Sequence, residues 1–155
     1  MRSRTILASL AAFFAGIALC LAADVHTGNW KLNEAKSKFA PGATKNTTVV
    51  YVAAGDNMKV IVDGVDKDGK AIHSEWTGKF DGKDYPVTGN PNEDTRAYKK
   101  VDARTLDFTS KKGDKVVTTG RVAVSADGKT RTVTTTATDA SGKKSHNTAV
   151  YDKQS

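Results

Sequence analysis

The sequence predicts an all-β fold, an antiparallel up-and-down meander of about ten strands closed into a barrel. Three observations carry that expectation. Short runs rich in Thr and Val alternate with turn clusters from residue 28 onward, and branching at Cβ suits a pleated surface. The turn clusters are Gly55-Asp56-Asn57, Asp66-Lys67-Asp68-Gly69, Asp81-Gly82, Asn90-Pro91-Asn92, Gly113-Asp114, Asp127-Gly128 and Ser141-Gly142, residue types that reverse a chain tightly. Several runs also place apolar residues at every second position, the period of a strand with one side in water. Tight turns make chain neighbours into sheet neighbours. Closing the sheet removes the two raw edges that a flat meander would leave. A β-sandwich is the alternative, because regular turn spacing suits both architectures.

The ten strands are expected over 28–33, 45–54, 58–65, 71–80, 83–88, 95–101, 105–111, 115–125, 129–138 and 144–153. The first opens on Gly28-Asn29-Trp30-Lys31-Leu32, with Trp30 plugging one end of the barrel. Between the first two strands, Asn33 to Lys38 can form a helical turn or two before Pro41-Gly42 ends it. Phe39 is expected to tuck this connection over the barrel mouth. In the third strand Met58, Val60 and Val62 oppose Lys59 and Asp63. In the fourth, Ile72, Trp76 and Phe80 share one face, and His73, Glu75 and Lys79 the other. Pro86 lacks an N–H and marks its run as an edge or bulged strand. Leu106 and Phe108 oppose Thr105, Asp107 and Thr109. In 129–138 every even position is Thr. Facing outward, those residues make a wet surface; facing inward, their hydroxyls line a polar cavity.

The chain start reads as a leader. Arg2 and Arg4 precede an uncharged apolar stretch from Thr5 to Leu21, and small residues follow. This is the pattern of a secretory signal peptide over residues 1–22, cut after Ala22 or Ala23. The expected location is therefore periplasmic or secreted. Cys20 opens a minor alternative, a lipid-anchored protein, but Leu19 occupies the place where a lipobox has a small residue. Residues 23–155 form one expected domain, and a monomer is expected. With Cys20 in the leader, no disulfide is available to that domain, and its size requires none.

Loss of Arg2 and Arg4 takes the net charge from +7 to +5. The lysine pairs Lys99-Lys100, Lys111-Lys112 and Lys143-Lys144 lie at strand ends or beside turns, where they keep edges unpaired. An anionic envelope surface is a candidate partner for them, whereas nucleic acid is not expected for an exported chain.

The opening Gly28-Asn29-Trp30 and the closing strand with Tyr151 resemble the calycin group, the lipocalins and fatty-acid-binding proteins. There a G-x-W motif starts the first strand and a tyrosine-bearing strand closes the barrel. Length and strand count look like the fatty-acid-binding branch. The chain is also similar to a group of small exported bacterial proteins with G-x-W-K-L-N, A-K-S-K-F and D-G-K-D-Y-P-V-T-G, here residues 28–33, 35–39 and 81–89. That likeness implies fold and export, but no activity. Two departures from the fatty-acid-binding pattern stand out. Asn33 to Thr44 is too short for the two-helix lid. In the R-x-Y clamp of the last strand Tyr151 supplies the Tyr, but Ala149 stands where the Arg belongs. A buried carboxylate without a cationic partner is costly, so the resemblance does not carry over that mode of binding.

The residues point to a binding module. A hydrophobic or amphipathic small molecule or lipid would sit in an interior void of several hundred Å³, the scale of ligand pockets. The candidate ligand contacts are Trp76, Tyr98, Arg121 and Tyr151, with Arg121 as the inward cation in place of the missing clamp. The other aromatics serve equally as core. An envelope protein acting through its outer surface is the second reading. An enzyme is not expected, since no nucleophile motif or phosphate loop is present. No cofactor is expected. His26, close to the chain start, reads as frayed; His73 and His146 sit singly on strands without metal-ligand spacing, so no metal is expected.

Overall fold

The computed structural model describes residues 23–155. The leader over 1–22 and Cys20 lie outside the described residues. Ten strands follow one another: β1 (Gly28–Leu32), β2 (Lys45–Ala54), β3 (Asn57–Val65), β4 (Ala71–Gly78), β5 (Tyr85–Thr88), β6 (Thr95–Asp102), β7 (Thr105–Lys112), β8 (Lys115–Val124), β9 (Thr130–Thr138) and β10 (Lys144–Lys153). Each pairs antiparallel with its neighbours in sequence, and β1 pairs with β10 to close the ring. Unbroken pairing around the ring excludes the sandwich. The first connection holds one 3₁₀ turn at Glu34–Lys36, started by the Asn33 side chain, which accepts from the Lys36 N–H.

Register decides which face each side chain takes. Val60 lies between Tyr51 and Trp76 across two ladders, and all three point into the core. The Met58, Val60 and Val62 face and the Leu106 and Phe108 face turn inward as expected. In β9 the inward residues are the odd ones, led by Arg131 and Val133. The even threonines make the outer wall, with Thr136 bonded to the exposed His146 at 3.0 Å.

Pro86 does not make β5 an edge. The strand is internal to the ring but minimal, with two residue pairs to β4 and two to β6. The missing N–H at Pro86 and the brevity of the run limit its ladder.

The barrel has one open and one closed end. The 33–44, 66–70, 89–94, 113–114 and 139–143 connections surround the open end. Phe39 packs part-buried against the core there. At the closed end Trp30 is fully buried, with the Lys153 ammonium 5.4 Å from its ring. Beside it His26 is fully buried as well, which corrects its reading as frayed. Residues 24–27 turn back beneath the barrel, and Gly28 makes this possible. Its φ of +137° lies in a region that side chains rarely adopt. A Cβ there would stand 2.7 Å from both the Lys153 Cε and the Ser155 carbonyl oxygen.

A candidate binding cavity

The open end leads into a cavity of about 510 Å³, within the range of roughly 300–1,000 Å³ usual for small-molecule sites. Its walls mix apolar side chains (Val49, Val62, Phe108, Val122 and Val133) with a few polar groups. Gly120 shapes one wall. It faces inward on β8 and carries no side chain, so the Phe108 ring lies against its Cα, where a Cβ would leave only 2.5 Å.

The polar groups form one connected chain from mouth to floor. Glu93, in the connection before β6, pairs with the Arg96 guanidinium; their side chains are 5 % and 13 % exposed. Arg96 also donates from Nε to the Ser110 hydroxyl at 3.2 Å and from Nη1 to the Tyr98 hydroxyl at 3.1 Å. Burial works against the Arg96 charge, but Tyr98 and Glu93 outweigh it and the group is held more firmly protonated than an ordinary arginine. Tyr51 donates to the Tyr98 oxygen at 3.4 Å. At the floor, Arg131 donates from Nη2 to the Tyr51 hydroxyl at 2.9 Å. Burial pushes the Tyr51 and Tyr151 phenols up, well away from ionisation. These tyrosines therefore act as neutral hydrogen-bonding groups.

Arg131 is only 4 % exposed, and its Nε and Nη1 atoms have no hydrogen-bond partner. Its guanidinium carbon lies 4.6 Å from the Tyr51 ring centroid and 5.3 Å from that of Tyr151. Ring faces partly offset a desolvated cation, but they satisfy no N–H. A buried guanidinium with two idle donors beside a cavity leaves charge-assisted hydrogen-bonding capacity that an anion could use.

Among the expected contacts, Tyr98 and Tyr151 line this cavity. The Tyr151 hydroxyl is already engaged, donating to the Asn46 carbonyl at 3.0 Å. Trp76 lies behind the wall. Its ring packs edge-on against Tyr98 at 4.8 Å and stacks on Phe80, while its Nε1 donates to the Arg96 carbonyl at 2.8 Å.

The inward position expected for Arg121 is overturned. Arg121 faces Asp107 on β7 and Thr134 on β9. It makes a two-pronged contact with Asp107 at 2.6 and 3.0 Å on the outer surface. The inward side of β8 belongs to Gly120, Val122 and Val124, and parity places Arg121 outside. The inward cations are Arg96 and Arg131, which the sequence reading missed.

Other polar clusters face water. His73 lies between Asp63 (2.6 Å) and Glu75 (3.5 Å) on the outer wall, and Glu75 is also paired with Lys59 at 2.9 Å. Among the described residues, no group of three or more metal-ligating side chains converges.

No protein-family model matches this chain, and no curated protein matches it. Solved structures similar to it include two β-barrels. One is a redesigned beta barrel, mFAP1, bound to DFHBI, at 13 % identity, covering 83 % of this chain and 95 % of that one with a TM-score of 0.44. The other is EF1p2_mFAP2b bound to DFHBI, at 13 % identity, covering 86 % and 97 % with a TM-score of 0.48. The chain's own strand pairing, rather than these likenesses, defines the barrel.

Proposed function

We propose that the protein is an exported binding protein, not an enzyme, and that its barrel takes an amphipathic molecule with one anionic head group. The head group enters first and meets Arg131 at the floor. The apolar remainder lies along Val62, Phe108 and Val133. The observation that supports this reading is the pair of idle donors on Arg131, buried beside a cavity open at one end. A carboxylate forms charge-assisted hydrogen bonds with a guanidinium and would take up an idle donor while compensating the buried charge. A neutral head group supplies no such charge and leaves the cation desolvated and uncompensated.

The test compares a medium-chain carboxylic acid with the alcohol of the same chain length by calorimetric titration. Binding of the acid, at least tenfold tighter than the alcohol, is the expected result. Equal affinities, or no uptake of either, would overturn the reading. For the outer-surface reading, an apolar patch gains no support: the exposed large apolar residues Val52, Val101 and Val116 sit on three separate strands.

A further inference from the structure

The N-terminal turn beneath the barrel carries an inference that does not depend on what the cavity holds. His26 is fully buried, and neither ring nitrogen has a hydrogen-bond partner. Its ring packs against Tyr51 at 6.2 Å and Phe80 at 6.1 Å between centroids. It does not line the 510 Å³ cavity. Besides the His26 ring, the partly buried Val25 packs against the core, and three polar contacts hold the turn. The Trp30 indole donates to the His26 carbonyl at 3.0 Å, and Lys100 pairs with Asp24 at 2.8 Å. The other Asp24 oxygen accepts the backbone N–H of His26 at 3.0 Å. No ladder bond holds residues 24–27, because β1 begins at Gly28.

We propose that residues 24–27 are an acid-released plug: protonation of His26 expels the turn and opens the closed end of the barrel. The imidazolium needs acceptors for two N–H groups, and the site offers none. Asp24, the carboxylate nearest in sequence, is already committed to Lys100 and to the backbone. A buried charge without partners is expelled rather than tolerated. Expulsion gives up these side-chain contacts but no strand pairing, since the turn can swing about Gly28 while the ten ladders stay intact.

The charges around the ring agree in direction. Burial lowers the His26 pKa most; Asp24 and Asp102 raise it, and Arg131 and Lys100 lower it, leaving it at about 4. The pKa of Asp24 is itself lowered: burial raises it, but Lys100 and the His26 backbone N–H outweigh that, so Asp24 stays anionic as His26 titrates. Cleavage after Ala22 or Ala23 would add an α-ammonium beside Asp24. That group titrates near pH 8 and stays cationic throughout. Because the closed-state pKa is depressed, the plug is fully held well above pH 6.5. It weakens as pH falls from there to about 4. From well above pH 6.5 to well below pH 4 the open-to-closed ratio rises by roughly 300-fold in all, the factor set by a depression of about 2.5 pH units.

The experiment follows hydrogen exchange of the Trp30 indole N–H by NMR between pH 7 and 4, corrected for intrinsic rates. The purified protein is compared with His26→Phe, which keeps an aromatic ring against Tyr51 and Phe80 but cannot titrate. Opening at Trp30 should rise steeply toward pH 4 in the protein and stay flat in the variant. Backbone amides of β8 should show no matching rise. His26→Gln, also unable to titrate, provides a second comparison if the Phe variant folds poorly. An identical pH profile in the variants, a rise shared equally by β8, or a His26 ring titrating near 6.5 in the folded protein would overturn the proposal.

Discussion

Arg131 stands directly opposite Tyr151 across the β9–β10 ladder, and its guanidinium reaches over the tyrosine ring. This pairing bears on the departure at Ala149. The cation absent from the last strand is present one strand away, beside the same tyrosine. A cross-strand neighbour two positions away from the expected register can serve the same cavity, because inward side chains of adjacent strands lie within reach of one another.

Replacing Arg131 with Met separates the roles of charge and packing. Met retains much of the apolar stem and removes the two unpartnered donors. Affinity for a carboxylate-headed ligand is expected to fall about 10- to 100-fold, the range of a charged hydrogen bond. Stability should change little or rise, since exchanging a buried ion for an apolar group of similar size is often neutral or favourable. Paired calorimetry and urea melts check both halves.

Glu93 has the opposite profile. Its carboxylate compensates Arg96 in a buried setting, so Glu93→Ala leaves a guanidinium without its counter-ion. A loss of about 3 kcal/mol is expected, visible as a lower denaturant midpoint with an unchanged slope. Retained wild-type stability would mean that Tyr98 and Ser110 alone suffice for Arg96.

Gly28→Ala tests the hinge between the plug and β1. The positive φ and the contacts with Lys153 and Ser155 set an expected cost of about 1–3 kcal/mol. Part of it should appear as local exposure of Trp30, seen as a red shift of its fluorescence with the far-ultraviolet dichroism preserved.

Arg121→Ala is the control for the outer wall. Its side chain is 55 % exposed and paired with Asp107, and such surface pairs contribute less than about 1 kcal/mol. Ligand affinity should be unchanged. A tenfold loss on this substitution would place a binding surface outside the barrel.

The strands were legible because period two is a direct consequence of the pleat, and tight turns leave little choice of neighbour. The cavity's charge was harder to read, for a specific reason. In β9 the even threonines drew the reading and hid the odd face, where Arg131 is the single charge among Val133, Thr135 and Ala137. In β8, Val116 and Val117 adjoin an irregularity between Ser110 and Lys111 on β7. The apolar alternation slips there, and Arg121 reads as inward. The short hairpin joining β9 and β10 sets Thr138 against Lys144, and counting back from it brings Arg131 to Tyr151. His26 was unreadable in a different way. Its burial arises from a turn outside every strand, and periodicity carries no information there.

The β1–β10 pairing has a consequence for how the chain is made. Nine ladders join segments adjacent in sequence; the tenth joins the two ends, with the Gln154 N–H reaching the Asn29 carbonyl at 2.8 Å. A chain emerging N-terminus first holds β1 with one side bare until residues 144–153 arrive, so the ring cannot close before they do. Loss of residues 144–155 would leave two naked edges, at β1 and β9, suited to pairing between molecules. The same adjacency lets a short linker join the ends and a new start be cut at the 139–143 turn, giving a circular permutant whose last-made strand is a different one.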